Sequence, residues 1–124
     1  ALYKREEDGL VLVDGDKCIG CRYCEWACPY GATQFDEETG KLGKCDFCQD
    51  LLAKGEDPFC VASCVMRALD YGELAELQVR YGNVNAIEPL PPGDITHPSI
   101  VITPHRDSQR SGTGTGQIID YEEV

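Results

Sequence analysis

The sequence predicts a small α+β domain of short hairpins and short helices, followed by an extended carboxyl-terminal arm. Its 124 residues suffice for one domain. They include three Phe, one Trp and one Met, but 13 Gly and seven Pro. A core with so few large apolar side chains needs cross-links to offset the chain entropy that is lost on folding. The eight cysteines are the candidates for these cross-links.

The first four cysteines follow the spacing C-x2-C-x2-C-x3-C and precede Pro29. They are Cys18, Cys21, Cys24 and Cys28. Bacterial ferredoxins use this spacing for [4Fe–4S] clusters: three thiolates hold one cluster and the fourth crosses to another. Gly20 leaves room where the backbone must approach the cluster closely. The spacing therefore indicates a ferredoxin-like 4Fe–4S fold.

The other four cysteines form a looser version of the same motif, with a lengthened third step. They are Cys45, Cys48, Cys60 and Cys64. Residues 49–59, between the second and third of them, predict a short helix ended by Gly55 and a turn at Asp57–Pro58. Alone, this motif also suits zinc. Beside the first quartet it predicts that all eight cysteines are metal ligands, for two [4Fe–4S] clusters.

The remaining predicted elements are short. Residues 9–14 predict a strand, residues 32–35 and 41–44 a hairpin leading to the second quartet, and residues 69–71 a further strand pairing near the first. Residues 73–81 predict an amphipathic helix that is ended by the following glycine. The two quartets, each in a loop beside a small hairpin, make a weak internal repeat.

The sequence beyond Gly82 has a different character. It is rich in proline at residues 89–93, permits a lone strand at 99–103, and is polar and glycine-rich at 107–116. The glycines at 112–116 lack the strand, helix and lysine of a phosphate loop and indicate a linker. We therefore expect residues 1–82 to form the 4Fe–4S domain and residues 83–124 an extended arm that contacts a partner.

The acidic balance limits the choice of partners. The sequence has 11 Lys plus Arg and 22 Asp plus Glu, a formal charge of −11. Such a chain would repel nucleic acid and anionic membrane surfaces. No apolar run approaches the roughly 18 residues of a membrane span, and Ala1 to Asp8 lack a signal-peptide core. We expect neither nucleic-acid binding nor direct membrane insertion.

No combination of residues in the sequence indicates a catalytic site. There is no Ser/His/Asp or Cys/His arrangement, and His97 and His105 lie in the proline-rich arm as expected surface residues. Tyr23 and Trp26 are expected to pack beside a cluster. Arg22 and Lys44 each adjoin a ligand cysteine, where a positive charge would stabilise a reduced cluster or form a salt bridge. The sequence predicts an electron carrier that is not itself an enzyme.

Four segments together resemble the iron–sulfur subunits of the dimethyl-sulfoxide-reductase family of molybdoenzymes. They are KREEDGLVLVDGDKCIGCRYCEWACPYGA, GKCDFC, PFCVASCVMRAL and PSIVITP. The resemblance extends over essentially the whole sequence, to its Glu-Glu-Val end. It implies electron transfer through [4Fe–4S] clusters, from a membrane quinol-oxidising subunit to a molybdopterin catalytic subunit. It also implies a peripheral subunit of a membrane-associated complex.

The resemblance leaves the pairing of cysteines with clusters open. Subunits of this family carry four quartets, and this sequence resembles the half with the last two, so an amino-terminal half is a further expected partner. In the family, Cys28 and Cys64 would then each ligate a cluster in that other half. In the self-contained alternative, Cys64 joins the first three cysteines and Cys28 joins Cys45, Cys48 and Cys60.

A free-standing two-cluster ferredoxin and a structural zinc module are the alternative functions. Disulfides are disfavoured because cysteines three apart rarely reach bridging geometry.

Overall fold

The computed structural model describes residues 1–115, which contain short strands and short helices in the α+β arrangement expected. The chain divides into a first unit, Ala1–Asp70, and a second unit that begins at Tyr71. The first unit contains β1 (Leu2–Lys4), β2 (Val11–Val13), α1 (Tyr23–Ala27), β3 (Thr33–Asp36), β4 (Lys41–Lys44), α2 (Gln49–Leu52) and α3 (Phe59–Ala62). The second unit contains α4 (Leu74–Tyr81) and α5 (Gly93–Thr96).

Two antiparallel hairpins form the framework of the first unit. In one, β1 pairs with β2 so that Leu2 lies opposite Val13. In the other, β3 pairs with β4 so that Thr33 lies opposite Lys44. The second hairpin is the one predicted from the sequence. The strand predicted at 9–14 is also present as β2, but its partner is β1.

The turn of the β3–β4 hairpin is fixed by the carboxylate of Asp36. This carboxylate accepts hydrogen bonds from the Glu38 backbone N–H at 2.9 Å and from the Thr39 hydroxyl at 2.8 Å. The Gly40 N–H donates to the Asp36 carbonyl at 2.8 Å and closes the turn. Gly40 has φ 65°, a left-handed conformation that glycine adopts at little cost.

The core of the first unit is as thin as the composition predicts. Within residues 1–115, the large hydrophobic side chains that are buried are Leu12 and Leu42, one on each hairpin. Strands β2 and β4 contact each other and bring these two leucines into the interior. Burying a leucine side chain contributes about 1.5–3 kcal/mol, which is similar to the cost of ordering only one or two residues. Packing alone therefore leaves this unit weakly stabilised.

Two short helices lie in the insertion of the second quartet. α2 ends at Leu52, and Gly55 with φ 76° lies just beyond it, as the predicted helix stop requires. Pro58 is buried and immediately precedes α3. The predicted helix and turn are therefore present, with a second helix that the sequence did not predict.

Two predicted strands are wrong. Residues 69–71 form no strand, and β2 pairs with β1 instead. Residues 99–103 also form no strand, since the one backbone–backbone hydrogen bond that they donate within residues 1–115 runs from Ile102 N–H to the Val84 carbonyl at 2.8 Å. The flanking prolines, which cannot donate, leave the segment without a ladder.

The second unit begins with the predicted amphipathic helix. α4 ends before Gly82, which has φ 94°. Beyond it the chain folds back, so that Ile87 and Arg110 form an antiparallel bridge and Glu88 N–H donates to the Gln109 carbonyl at 3.0 Å. An extended arm is not confirmed for this segment, and the domain boundary near residue 82 stays a prediction.

The last residue of the glycine-rich linker and the Glu-Glu-Val end lie outside the described residues. In the described part of the chain, no helix has the length and apolar character needed to cross a bilayer.

Candidate metal centre

The first unit carries all eight cysteines on its loops and helix ends. Cys18 follows β2, Cys45 follows β4, and Cys64 follows α3. Cys21 lies just before α1, Cys24 lies within α1 and Cys28 directly follows it. Cys48 directly precedes α2, and Cys60 lies within α3. All eight are free thiols, so the structure contains none of the disulfides weighed as an alternative.

The loop of the first quartet depends on Gly20. This residue has φ 69°, and a Cβ atom built on it would overlap the carbonyl oxygen of Gly40 in the neighbouring hairpin turn. Glycine is therefore required both for the backbone conformation and for the close approach. The structure shows a close approach of this glycine to the hairpin turn, and its predicted approach to the cluster stays a prediction.

Backbone N–H groups already point at the sulfur of Cys18. The Leu42 N–H donates to Cys18 Sγ at 3.4 Å. This hydrogen bond and a second from the Gly20 backbone lower the pKa of the Cys18 thiol, and the charge of Lys41 acts in the same direction. Because the thiolate is the form that binds metal, these groups prepare Cys18 as a ligand.

The last cysteine of each quartet lies in the same kind of turn. Ala32 N–H donates to Cys28 Sγ at 3.4 Å, and Ala68 N–H donates to Cys64 Sγ at 3.3 Å. In each turn the residue before the alanine is left-handed, Gly31 at φ 59° and Arg67 at φ 52°. The weak internal repeat in the sequence therefore corresponds to a repeated sulfur-binding turn.

The Cys64 turn carries the stronger set of donors. Hydrogen bonds from the backbone N–H groups of Ala68 and Leu69 lower the pKa of the Cys64 thiol, with smaller contributions from Met66 and Arg67. Several amides directed at one sulfur stabilise negative charge there. This turn can hold a thiolate ligand of an anionic cluster.

Between the first and second cysteines of the second quartet, the chain reaches two consecutive left-handed residues that are not glycine, Phe47 and Cys48. Phe47 has φ 63° and Cys48 has φ 50°. This geometry directs the Phe47 N–H to Cys45 Sγ at 3.4 Å, while Cys48 N–H donates to the Asp46 carboxylate at 2.9 Å. Such conformations cost on the order of 1–3 kcal/mol each and are concentrated at functional sites.

A pocket of about 510 Å³ brings cysteines of both quartets to one place. Its lining residues are Leu2, Val11, Cys24, Ala27, Cys28, Ala32, Thr33, Lys44 and Cys45. Most of this lining is apolar, so the pocket offers sulfur ligands in surroundings of low polarity. The residues present therefore fit iron–sulfur groups: Cys24, Cys28 and Cys45 would supply thiolates to the clusters, and the amides near them would donate to sulfur.

Among residues 1–115, no three Cys, His, Asp or Glu side chains are grouped closely enough to hold a single metal ion.

Three side chains next to the cysteines, those of Arg22, Tyr23 and Trp26, contact neighbouring residues. Arg22 pairs with Glu25 at 2.7 Å and lies 4.8 Å from the centre of the Phe35 ring. Tyr23 and Trp26 pack edge to face at 5.6 Å. Both rings are exposed, so in this structure they pack on each other.

Lys44 lines the cysteine pocket, whereas both histidines belong to the second unit. The Lys44 ammonium donates to the Cys45 carbonyl at 2.6 Å and lines the pocket, so its charge lies among the cysteines. His97 and His105 are exposed, as predicted, and lie in the second unit.

Sequence reasoning missed Thr33. The residue lines the pocket, and its buried hydroxyl has no hydrogen-bond partner in the described part of the chain. The cysteine spacing gives no signal for this residue. Only the hairpin register, which places Thr33 opposite Lys44, brings it to the site.

The sequence matches the family described as the 4Fe-4S dicluster domain over residues 1–74. The B subunit of anaerobic dimethyl sulfoxide reductase from Escherichia coli is 50% identical over all 124 residues, which cover 60% of that protein. The corresponding B subunit from Haemophilus influenzae is 43% identical over 120 residues, 97% of this chain and 58% of that protein. The B subunit of polysulfide reductase from Wolinella succinogenes is 41% identical over 104 residues, 81% of this chain and 54% of that protein. The chain thus spans about three-fifths or less of the length of these relatives.

Proposed function

We propose that this chain, which belongs to the family of 4Fe-4S dicluster domains, transfers single electrons as the iron–sulfur subunit of a molybdoenzyme complex. Electrons would pass from a membrane quinol-oxidising subunit to a molybdopterin catalytic subunit. The observation that carries the proposal is the set of eight free cysteines, four of which already accept backbone N–H groups at sulfur. The relatives named as B subunits of two reductases support the role of a subunit.

The residues of the first unit perform three tasks in this function. The eight cysteines hold the clusters, each of which accepts and releases one electron when bound. The amides of Leu42 and Ala68, among others, donate to sulfur and offset the negative charge that a reduced cluster carries. The apolar lining of the cysteine pocket limits the access of water. Together these features set the reduction potential.

The described residues supply no catalytic machinery of their own. The chain offers sulfur ligands and amide donors, but its two histidines are exposed and lie away from the cysteines in sequence. This supports an electron carrier whose chemistry on substrate belongs to a partner.

The surface of the first unit supports binding to a protein partner. Several large apolar side chains near the cysteines are at least 69% exposed. They are Ile19, Tyr23, Trp26, Phe59, Val65 and Met66. Exposed apolar side chains concentrated near a redox site favour close docking of another subunit or domain, which also shortens the path of the electron. We propose that the neighbours are the catalytic subunit, a membrane anchor subunit and the amino-terminal half found in the longer relatives.

The second unit supports the same view less directly. Residues 83–124, proposed as the partner-contacting region, include exposed apolar side chains such as Ile95 and Ile100. We propose that this region contacts a neighbouring subunit and that the chain associates with the membrane only through the complex. A free-standing ferredoxin shuttle has less use for such a segment.

The pairing of cysteines with clusters follows from the same proposal. We propose that Cys28 and Cys64, in their two equivalent turns, each ligate a cluster whose other ligands come from the amino-terminal half. In the isolated chain, Cys28→Ala should then leave the cluster signals unchanged. If Cys28→Ala instead removes one cluster from the isolated chain, the self-contained pairing is correct.

An affinity-tagged copy in its native host tests the proposed function. After gentle solubilisation of membranes, the tagged chain should co-purify with a polypeptide that contains molybdopterin, and a quinol should reduce its clusters. Molybdopterin is identified by the fluorescence of its oxidised form, and cluster reduction by electron paramagnetic resonance. A tagged protein that purifies alone, without molybdenum, and that only soluble donors reduce would instead be a free-standing ferredoxin.

A further inference from the structure

The hairpin residues Gly40 and Lys41 hold the loop of Cys18 from both sides. After Cys18, Gly20 lies against the Gly40 carbonyl oxygen. Before Cys18, the Gly15 carbonyl accepts a hydrogen bond from the Lys41 ammonium at 2.6 Å. Because two consecutive residues of one hairpin make these contacts, they fix the position of the Lys41 side chain relative to the cysteine loop.

The ammonium of Lys41 lies close to the backbone of Cys18. The Gly15 carbonyl oxygen also accepts the Cys18 N–H, at 3.4 Å. Since both hydrogen bonds end at the same oxygen, the Lys41 ammonium and the Cys18 nitrogen are separated by no more than the sum of these two short bonds. The next residue of β4, Leu42, donates its N–H to Cys18 Sγ at 3.4 Å. Lys41 and Leu42 therefore bring a positive charge and an amide to the same cysteine.

Lys41 differs from the two cations that adjoin cysteines of the first quartet in sequence. Lys17 pairs with Asp14 at 2.9 Å, and Arg22 pairs with Glu25 at 2.7 Å. The side chain of Lys41 is half-buried, and within residues 1–115 its ammonium donates to a carbonyl and forms no ion pair. Its field is therefore neither cancelled by a carboxylate in contact with it nor fully screened by water.

The acidic residue opposite Lys41 is engaged in the hairpin turn. Asp36 lies directly across the ladder from Lys41, but its carboxylate accepts hydrogen bonds from the Glu38 N–H and the Thr39 hydroxyl. Backbone hydrogen bonds do most to lower the pKa of the Cys18 thiol, and the charge of Lys41 lowers this pKa further. The field of the ammonium thus reaches the sulfur atom.

We propose that Lys41 is a tuning residue whose ammonium, held beside the Cys18 loop, raises the midpoint potential of the cluster that Cys18, Cys21 and Cys24 ligate. The inference rests on the proposed function, since it needs that cluster. The three cysteines share one cluster in both pairings considered above, so the inference holds for either pairing. Reduction adds one electron to the cluster, and a nearby positive charge stabilises the more negative state.

The size of the effect follows from Coulomb's law. An elementary charge that acts over roughly 8 Å, with an effective dielectric constant between about 20 and 80, changes an equilibrium constant about 2–30-fold. For the transfer of one electron this equals about 20–90 mV, at about 59 mV for each tenfold change. Lys41→Met should lower the midpoint potential of the Cys18 cluster by an amount in this range.

Redox titration of the full protein tests this inference. Electron paramagnetic resonance of samples poised at a series of potentials gives the midpoint of each cluster, and Cys21→Ser identifies the signal of the Cys18 cluster. Lys41→Arg keeps the charge and should keep the wild-type midpoint. Lys54→Met is the matched control, because it removes the same charge from an exposed residue in the insertion of the second quartet. An unchanged midpoint in fully loaded Lys41→Met protein would overturn the inference, and so would an equal shift in Lys41→Arg or Lys54→Met.

Lys41→His separates the charge from the packing of the side chain. One folded protein then carries the charge at low pH and lacks it at high pH. The midpoint of the Cys18 cluster should therefore fall as the pH rises through about 6.5, the usual pKa of histidine, whereas Lys54→His and the wild type should show no such step. The same pH dependence in all three proteins would contradict the inference.

Cluster content is measured in every variant by iron and sulfide analysis. If Lys41→Met and Lys41→His lack the Cys18 cluster and Lys41→Arg retains it, Lys41 serves assembly of the site and the inference fails. Wild-type protein without iron or sulfide would refute the proposed function instead.

Discussion

Replacement of Gly20 by alanine should disrupt the loop of the first quartet. Alanine would have to adopt φ 69°, and its Cβ would overlap the Gly40 carbonyl oxygen and lie 3.5 Å from the Phe35 ring. The left-handed region costs a non-glycine residue about 1–2 kcal/mol. Overpacking against a neighbouring backbone adds about 1–3 kcal/mol. The expected loss of about 2–5 kcal/mol is a large part of the 5–15 kcal/mol that typically stabilises a domain.

The consequence should be visible at the cluster, because Gly20 lies between Cys18 and Cys21 and its backbone helps to hold the Cys18 thiolate. We expect Gly20→Ala to contain less iron and acid-labile sulfide per chain and to lose its visible absorption at a lower temperature. Gly43→Ala is the control, since Gly43 has no atom within 4 Å of an added Cβ and no positive φ. Wild-type cluster content and thermal stability in Gly20→Ala would show that the close approach to Gly40 does not matter.

Three further perturbations follow from the structure. The Thr39 hydroxyl and the Glu38 N–H lower the pKa of Asp36, so the stabilisation is present above the unfolded pKa and is lost as the pH falls through the folded value. The melting temperature of the wild type should therefore fall more steeply below about pH 4 than that of Asp36→Asn, and parallel curves would contradict this. Lys44→Met should lower the midpoint potential of the cluster that Cys45 ligates, whereas Lys4→Met on β1 should not; equal shifts would indicate a general charge effect. Removal of iron with a chelator should abolish the cooperative melt followed by circular dichroism, since two buried leucines cannot hold the first unit. An equally cooperative melt without iron would refute this coupling.

The cysteine pattern predicts the ligand set because its spacing is a direct requirement of the cluster, and the assignment of all eight cysteines as ligands stays a prediction. The β3–β4 hairpin was equally predictable, because its turn residues Asp36 and Gly40 leave a local signal. The strand β1 was missed since Leu2–Lys4 is three exposed residues long and gains its partner only through the tertiary fold.

The hydrogen bonds from backbone N–H groups to cysteine sulfur could not be predicted from sequence patterns. They depend on left-handed residues such as Phe47 and Arg67, which have no glycine to mark them. The fold-back of residues 83–115 was missed for a related reason: it rests on isolated backbone contacts, such as Ile102 to Val84, and has no periodic apolar pattern. The position of Thr33 at the pocket follows from the β3–β4 register, which no sequence pattern specifies.

The most direct test of the iron–sulfur assignment is the magnetic signature of the reduced protein. Protein purified without oxygen should be brown, contain iron and inorganic sulfide, and give signals of reduced [4Fe–4S] clusters after dithionite. Colourless protein that contains zinc, or no metal, and gives no paramagnetic signal would contradict the assignment of these eight cysteines.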